Sequence, residues 1–352
     1  MNYSKTETLE DYFAALDKRI DEILPARVSL LAHIAGYTVR LVFPNMEYAR
    51  YAVPDMFVNL DNGTEIVDAT FIWWEDRIFP YQPHNFSHLE SYTHIVNTEN
   101  FGFDFFKADD SYGCIEIIGT NLRAENYKKN KYYLLSHPST HPKWPIANHP
   151  FAKAVFLWAQ KKNLLMLHAA ALGVDGRGVL IAGHGGTGKS TLTCTCLADG
   201  FDFVSDDYCL VSANGSPIVY PIYTNVSLTP DSLENLSMFK PFEILPMQGE
   251  KGAFMVSATG IKPSLPIEAI ILPQITAMIE PEIRPDRTNK ALGQLVYSTT
   301  KQLGRFRETE FVRQLSQRLL GMPLYRFELT KDLQKNCQYL KKWIREDLPC
   351  TN

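Results

Sequence analysis

The sequence is poor in cysteine, and its cysteines have no spacing that suggests a metal site or a disulfide framework. Six cysteines are scattered over 352 residues, and none of them belongs to a CxxC pair. Cys194 and Cys196 have one residue between them, which would put their thiols on different sides of a helix. The pattern argues against zinc modules and disulfide-rich secreted domains, and it favours a reducing compartment.

Long apolar runs are also missing. No segment approaches the roughly 18 consecutive apolar residues that a membrane-spanning helix requires. The N-terminal stretch MNYSKTETLEDYFAALDKRI is acidic and amphipathic, and it lacks the apolar centre of a secretion signal. We therefore expect a cytoplasmic protein that has no membrane partner.

No excess of positive charge is present. The formal net charge is −4, with 45% apolar and 21% charged residues, which is ordinary for a globular enzyme. Such a chain has no broad attraction for nucleic acids or acidic membranes, so we expect no nucleic-acid partner. Lys128, Lys129 and Lys131 form a small basic cluster, for which we expect a solvated loop.

The first part of the chain is rich in aromatic residues and has the alternation of β-strands. Residues 28–33 and 38–43 are predicted to pair around a short turn, and 68–74 alternates in the same manner. Residues 137–145 then contain three prolines, which predict a linker. A length of 352 residues suits two domains, and we place the boundary at this linker.

Strand and helix patterns alternate after the linker. Strands are predicted at 163–172, 178–182, 201–205 and 323–329, and helices at 150–161, 190–198, 308–320 and 332–344. Strand–loop–helix–strand order is typical of an α/β nucleotide-binding core. The chain is thus predicted to have an N-terminal mostly-β (α+β) domain over 1–145 and an α/β catalytic domain over 146–352.

A phosphate-binding motif lies between the strand at 178–182 and the helix at 190–198. It matches GxxxxGK[ST] at every fixed position and consists of Gly183, His184, Gly185, Gly186, Thr187, Gly188, Lys189 and Ser190. Glycines let the backbone curl so that its N–H groups face a phosphate, and the start of the helix adds unpaired donors. Lys189 would reach the β- and γ-phosphates, and the Ser190 hydroxyl would bind Mg²⁺. We therefore predict binding of ATP with Mg²⁺.

Asp206 and Asp207 follow the predicted strand at 201–205. If that strand is parallel to 178–182, the carboxyl ends of both lie at one sheet edge, where ligands of open α/β sheets bind. One carboxylate can then hold the metal, while the other accepts a proton from an attacking hydroxyl. The alternative is a solvated Asp-Asp turn that only ends the strand.

His168 is the third candidate. An Asp-Gly turn would pair 163–172 with 178–182 as antiparallel strands and set His168 opposite Gly183. An imidazole there could orient an aspartate or touch the γ-phosphate. A buried histidine of the core is the alternative.

Three segments together resemble a known family. They are Leu167-His168-Ala169-Ala170, the phosphate-binding motif followed by Thr191, and Val204-Ser205-Asp206-Asp207. These segments resemble the core of bacterial HPr kinase/phosphorylase. Residues 165–211 are more similar still to the HPr-kinase-related serine kinases, a group that includes lasso-peptide precursor kinases. ATP-dependent phosphoenolpyruvate carboxykinases share a related core, but an acidic residue follows their aspartate pair, whereas Tyr208 follows it here.

The resemblance implies a P-loop kinase core that delivers phosphate from Mg·ATP to a hydroxyl. Carried over by position, the catalytic residues are His168, Lys189, Asp206 and Asp207. Asp207 becomes the general base, and Asp206 lies near the metal together with Ser190. The nucleotide-binding stretch extends through Thr191. The glycine-rich signature that follows the aspartate pair in true HPr kinases is missing, which argues against HPr as the acceptor.

The function expected from the sequence is ATP-dependent phosphorylation of a serine hydroxyl on a peptide or small protein. The domain 1–145 is expected to recognise that acceptor or to stabilise the core. A kinase of a small molecule, such as an amino acid, sugar or polyol, remains an alternative. A non-catalytic ATP-binding sensor is another. The sequence leaves the oligomeric state open, and a homo-oligomer is one of the states it allows.

Overall fold

The computed structural model describes most of the chain, in segments separated by gaps. The described residues are 9–23, 27–46, 48–49, 58–60, 65–75, 92–96, 103–109, 113–118, 121–136, 149–212, 214–223, 225–236, 242–248, 251–255, 261–303 and 308–349. The predicted linker at 137–145 lies outside them. The chain divides into two compact units, and along the described residues the boundary falls between Ala154 and Val155. Each unit combines helices with a mixed sheet, so the fold class is mixed α/β.

The first unit is built on a nine-stranded sheet with the order β3-β1-β2-β4-β9-β8-β7-β6-β5. Its strands are β1 (Val28–Ile34), β2 (Tyr37–Phe43), β3 (Val58–Leu60), β4 (Ala69–Glu75), β5 (Tyr92–Val96), β6 (Phe103–Asp109), β7 (Gly113–Ile118), β8 (Asn121–Asn126) and β9 (Lys131–Ser136). β2, β4 and β9 are parallel neighbours, whereas β5 to β9 form an antiparallel meander. The predicted β1–β2 hairpin is confirmed, with Ile34 opposite Tyr37.

Helix α1 (Leu9–Ile23) covers one face of this sheet. Its apolar side chains recur at helical spacing and join the sheet in one buried cluster, formed by Tyr12, Phe13, Leu16, Ile20, Val42, Ile72, Trp74, Leu122, Ala124, Tyr133 and Leu135. Such a covered face, rather than local strand propensity alone, is what fixes the register of the aromatic strands.

The basic cluster of the sequence faces the acidic side of α1. Lys131 Nζ lies 3.0 Å from the Asp17 carboxylate, and Lys129 Nζ lies 3.7 Å from it. Lys128 pairs with Glu10 at 3.6 Å. Lys128 and Lys129 are exposed in the turn at 127–130, so the expected solvated loop is confirmed for them, whereas Lys131 lies on β9, is partly buried and bonds to Asp17.

The second unit contains twelve strands and the remaining helices of the described residues. The strands are β10 (Leu164–His168), β11 (Ala170–Val174), β12 (Arg177–Ile181), β13 (Asp202–Ser205), β14 (Tyr208–Ser212), β15 (Ile218–Pro221), β16 (Asn225–Leu228), β17 (Phe242–Gln248), β18 (Lys251–Met255), β19 (Leu265–Ile275), β20 (Glu282–Pro285) and β21 (Leu324–Leu329). The helices are α2 (Ala152–Lys161), α3 (Lys189–Ala198), α4 (Pro230–Asn235), α5 (Lys290–Leu303), α6 (Glu308–Leu319) and α7 (Leu333–Glu346); α2 begins just before the boundary.

The main sheet of this unit has the order β10-β14-β15-β19-β12-β11-β13, with β21 paired to the later part of β19. β12, β19 and β21 are mutually parallel, and β11 is antiparallel to both β12 and β13. β12 and β13 therefore run in the same direction, as the sequence predicted, although β11 lies between them. The smaller sheet β16-β18-β17 stands beside it.

The predicted strand 163–172 is two strands, which corrects the expected partner of His168. β11 pairs with β12 through the predicted Asp-Gly turn, but β10 pairs with β14 instead. His168 is opposite Tyr208, and Ala171 is opposite Ser205, so one antiparallel register continues from β10–β14 into β11–β13. The pairing is interrupted between these two pairs, and the aspartate pair lies at this interruption.

Helices α3 and α7 pack on the sheet around β12. The buried cluster comprises Ala170, Leu172, Val174, Val179, Ile181, Leu192, Cys196, Phe201, Ala269, Ile271, Ile283, Phe327, Leu329, Cys337, Leu340, Trp343, Ile344 and Leu348. α3 ends where the sequence predicted: Gly200 has φ 80°, and the Phe201 N–H donates to the Cys196 carbonyl at 3.1 Å. α3 and the end of β12 both contribute to the buried cluster, through Leu192 and Ile181. Among the described residues, no helix has the length and apolar character that crossing a membrane requires.

Candidate functional site

The glycine-rich loop 183–190 connects β12 to α3, so the predicted strand–loop–helix arrangement is confirmed. Gly183, Gly186 and Gly188 have φ of 142°, 86° and 89°, a region that other residues rarely adopt. Where a Cβ would stand on Gly185 or Gly186, no atom lies within 4 Å. The middle of the loop is therefore exposed backbone with open space in front of it, which suits the approach of an anionic ligand.

Side chains at both ends of the loop bond to its own carbonyl groups. Thr187 Oγ1 donates to the His184 carbonyl at 3.0 Å, and His184 Nδ1 lies 2.7 Å from the Gly185 carbonyl. Lys189 Nζ crosses the loop and donates to the Gly183 carbonyl at 2.9 Å. Lys189 is only 6% exposed, so its ammonium is a fixed positive charge beneath the loop.

The first turn of α3 presents two half-buried hydroxyl side chains, Ser190 and Thr191. Thr191 Oγ1 lies 2.9 Å from Ser232 Oγ on α4. Gly188 is closely flanked on the other side, because a Cβ there would lie 3.3 Å from Leu329 and 3.6 Å from Ile275. The helix start is thus held between the aspartate side of the sheet and the ends of β19 and β21.

Asp206 and Asp207 have different environments although they are neighbours. Asp206 is completely buried, whereas the Asp207 side chain is 17% exposed. Ser227 on β16 bonds to both of them: its N–H donates to Asp206 Oδ2 at 3.4 Å, and its hydroxyl donates to Asp207 Oδ2 at 3.1 Å. One residue of the smaller sheet therefore fixes both carboxylates.

The Asp206 carboxyl is held in an environment that disfavours its charge. Burial first, and then the nearby Asp207 charge, raise the pKa of Asp206 to about 7. Lys189 and the Ser190 hydroxyl act in the opposite direction, so both lie close enough to influence it. Asp206 Oδ1 is buried and has no hydrogen-bond partner among the described residues. A cation bound at Asp206 Oδ1 would supply a partner for this oxygen and would favour the ionised carboxylate.

His168 reaches the same place from β10. Its Nε2 lies 3.9 Å from Asp207 Oδ1 and 3.1 Å from Gln302 Nε2, and its ring is 5.4 Å from the Tyr208 ring. The Tyr208 hydroxyl donates to Gln302 Oε1. Because that bond fixes the side-chain amide, Gln302 directs its NH₂ group at His168. His168 then accepts on Nε2, which corresponds to a neutral ring protonated on Nδ1.

Helix α5 supplies this support. Thr299 Oγ1 accepts from the His168 N–H at 3.0 Å, and Ser298 Oγ donates to the His168 carbonyl at 3.5 Å. Gln302 lies one turn further along the same helix. The backbone and the ring of His168 are therefore both positioned by a helix that follows it by about 130 residues in the sequence.

The structure brings the predicted residues into one constellation. Lys189, Ser190, Asp206, Asp207 and His168 meet beside the glycine-rich loop. Sequence analysis missed the residues that support them, which are Ser227, Gln302, Ser298 and Thr299. No local pattern marks these residues, since each acts through a contact across the fold. Tyr208 was noticed only as the residue that follows the aspartate pair.

Residues 147–234 match a family model described as SynChlorMet cassette protein ScmC. This stretch holds every residue of the constellation but covers less than half of the chain. A solved structure, the Hpr(Ser) kinase/phosphatase from Coxiella burnetii, is similar at 14% identity over 51% of this chain and 93% of that chain, with a TM-score of 0.28. A likeness at that level supports no inference about function. No curated protein matches the chain significantly.

The chemistry of the donor set fits Mg²⁺ bound together with a phosphate ligand. Asp206 and Ser190 offer a carboxylate and a hydroxyl, which are the oxygen donors that Mg²⁺ prefers. Within the described residues, no group of three or more His, Cys, Asp or Glu side chains is arranged to hold a metal alone. A cation here would therefore complete its shell with water and phosphate oxygens, which is common for Mg²⁺.

Proposed function

We propose that the chain is an ATP-dependent kinase that transfers the γ-phosphoryl group to a serine hydroxyl of a peptide or small protein. One observation carries the proposal: a glycine-rich loop with a buried lysine beneath it lies beside an aspartate pair whose members differ in burial. Phosphoryl transfer needs positioned positive charge and a base for the attacking hydroxyl, and little else. The constellation offers both.

Lys189 and the loop backbone would bind the β- and γ-phosphates and neutralise charge as it develops. Mg²⁺, held by Ser190 and Asp206, would supply further neutralisation when bound. Asp207 would accept the proton of the serine hydroxyl as that oxygen bonds to the γ-phosphorus. The bond from the γ-phosphorus to the bridging oxygen breaks at the same time, and ADP leaves.

The difference in burial supports this division of roles between the aspartates. Asp206 is 0% exposed, so an acceptor hydroxyl would meet Asp207 before it met Asp206. The Asp207 side chain is 17% exposed, and Ser227 and His168 direct it from two sides. A general base must lie within hydrogen-bond reach of its proton donor, and Asp207 meets that condition better.

His168 would be neutral in the resting enzyme and would receive the proton that Asp207 takes from the acceptor hydroxyl. Its unprotonated Nε2 is 3.9 Å from Asp207 Oδ1, so a small movement would bring the two atoms within reach of a proton transfer. A neutral ring leaves Asp207 free to act as a base, whereas a charged imidazolium would lower the basicity of that carboxylate.

The nature of the acceptor rests on the resemblance to serine kinases that act on precursor peptides. The family matching residues 147–234 is described as a cassette protein. We therefore expect the acceptor among the products of neighbouring genes, and we assign its recognition to the domain 1–145. We propose a cytoplasmic location for the reaction.

The test is to incubate the full chain with Mg²⁺, ATP carrying ¹⁸O in the γ-phosphoryl group, and each neighbouring gene product. Mass spectrometry should find the labelled group on a serine. Asp207→Asn should reduce the transfer roughly 10²–10⁴-fold while ATP still binds. Glu234→Gln, an exposed carboxylate on α4, is the matched control and should retain the activity.

Three results would contradict parts of the proposal. Label on a small molecule instead of a peptide would favour the small-molecule kinase. ATP binding with no acceptor of either kind would favour the sensor. If Asp206→Asn abolishes transfer with binding intact, whereas Asp207→Asn removes Mg²⁺-dependent binding, the two aspartates have the opposite roles.

A further inference from the structure

The sheet edge beside the glycine-rich loop has two chemically different sides. Across this edge the strands follow the order β21, β19, β12, β11 and β13. All except β11 run in the same direction, so their carboxyl ends, and the loops that follow, meet here. The aspartates lie after β13, on one side of the loop, and the ends of β19 and β21 lie on the other.

This order gives a bound triphosphate a direction. Under the proposed function, the γ-phosphate must face Asp207 and the acceptor, on the β13 side. The nucleoside at the other end of the triphosphate must then leave the loop towards β19 and β21. The side chains that the segment after β19 exposes to solvent are therefore the ones that would meet the base of the nucleotide.

That segment, residues 275–279, is unusually apolar for an exposed surface. Ile275 is 62% exposed, Met278 39% and Ile279 83%. Within the described residues, these are three of the seven large apolar side chains that are exposed, and they fall within five positions. Single exposed apolar residues are ordinary, but a local group of them marks a binding surface.

The segment is anchored, so it presents a fixed surface. The Thr276 N–H donates to the Leu329 carbonyl at 2.9 Å, and the Met278 N–H donates to Thr276 Oγ1 at 3.3 Å. Lys335 on α7 donates to the Ile279 carbonyl at 3.2 Å and pairs with Glu280. A preformed surface binds more tightly because less conformational entropy is lost on binding.

The segment also adjoins the phosphate loop directly. A Cβ on Gly188 would stand 3.6 Å from Ile275, so Ile275 lies beside the residue of the loop that precedes Lys189. An acceptor reaching Asp207 from the other side would not pass over this surface. Under the proposed function, the ligand that would continue from the loop onto Ile275 is the nucleotide itself.

We propose that Ile275, Met278 and Ile279 form the surface that contacts the base of the bound nucleotide. The planar, weakly polar face of a purine is the kind of group that such side chains bind, by excluding water from both. This inference rests on the proposed function. It adds the residues that make the chain prefer a nucleotide to a bare polyphosphate.

The test compares ATP with inorganic tripolyphosphate, which has the phosphates without the nucleoside. Affinities of both for the full chain with Mg²⁺ are measured by calorimetry. Wild type should bind ATP more tightly than tripolyphosphate. The double substitution Met278→Ser with Ile279→Ser should weaken ATP roughly tenfold and leave tripolyphosphate unchanged. Leu320→Ser, at a position 76% exposed at the end of α6, is the matched control and should change neither.

The other outcomes overturn the inference in distinguishable ways. Unchanged ATP affinity in the double variant would show that the base binds elsewhere, with the proposed function intact. Equal loss of ATP and tripolyphosphate would show that the segment supports only the loop. Equal affinities of the two ligands in wild type would mean that the base is not recognised. If wild type binds neither, the proposed function itself is wrong.

Discussion

Lys189 is the residue whose environment is most specialised for an anionic ligand. Its ammonium is buried, donates to the Gly183 carbonyl and lies close enough to Asp206 that its charge opposes the rise in the pKa of that carboxyl. The positive charge is therefore held beneath the loop, where the β- and γ-phosphates would bind.

We therefore expect Lys189→Met to reduce ATP binding or transition-state stabilisation by about 2–4 kcal/mol, the scale of a charge-assisted bond to phosphate. Methionine keeps most of the volume, so the fold should survive. Calorimetry with Mg·ATP and a turnover assay measure the two effects. Lys262→Met, at an exposed position, is the control; equal activity of both variants would contradict the assigned role of Lys189.

The burial of Asp206 is expected to make the stability of the folded protein depend on pH. The pKa of Asp206 is raised from 3.8 to about 7 by burial and by Asp207. A folded-state pKa above the unfolded value means that folding takes up a proton between the two. The stability that protonation contributes is complete below about 4 and is lost as pH rises towards 7.

With a chelator present and no nucleotide, the wild-type free energy of unfolding should therefore contain a component that falls between pH 4 and 7, by at most about 1.4 kcal/mol per pH unit. Asp206→Asn removes that component, so the variant should be more stable than wild type at pH 8, with the difference shrinking towards pH 4. Urea unfolding at a series of pH values measures it. Parallel profiles for the two proteins would show that the pKa of Asp206 is not raised in the folded protein.

At the scale of elements, the strand–loop–helix of β12, the glycine-rich loop and α3 was predictable because its signals are local. The glycines of the loop, the Gly-Lys-Ser sequence that begins the helix and Gly200 after its end each determine the backbone within a few residues. The break between β10 and β11 was not predictable. Residues 164–172 are apolar apart from His168, and no proline or glycine marks a break at Ala169. The break arises because β14 and β12 pair with different halves of the run.

The contacts by which helix α5 supports His168 could not be predicted from the sequence. The helix is amphipathic and could belong to any α/β core, yet Thr299 and Gln302 reach His168. Contacts across about 130 residues leave no pattern in one sequence. The candidate site was thus predictable as far as the residues expected to touch phosphate, whereas its supporting residues became visible only in the fold.

Gln302→Leu should test this support. Without the amide, His168 loses the donor to Nε2, so the proton should shift to Nε2 and pair with Asp207. We expect kcat to fall roughly tenfold with the KM for ATP unchanged, the scale of other hydrogen bonds that orient an active histidine. The ¹⁵N shifts of the His168 ring, assigned by difference with His168→Gln, report the tautomer. Lys301→Gln is the control on the same helix, and an unchanged tautomer in Gln302→Leu would contradict the role.

At the scale of the whole molecule, the residues assigned to phosphoryl transfer all belong to the second unit. The first unit contributes none of them, although it holds a nine-stranded sheet with its own buried core. Because each unit has its own buried core, the two units can carry out different functions. The strands of an aromatic-rich sheet also offer an edge along which an extended peptide can pair.

We therefore predict that a fragment beginning at residue 147, which keeps all of α2, binds Mg·ATP with nearly the affinity of the full chain. It should phosphorylate the acceptor at least tenfold more slowly at low acceptor concentration, because the recognition energy is lost. The deficit should appear in KM for the acceptor and shrink at saturation. Calorimetry and initial rates measure the two properties. A fragment that transfers phosphate at the full rate would place recognition in the second unit. A fragment that is insoluble, while the full chain with substitutions in the edge strands β3 and β5 stays active, would make the first unit structural.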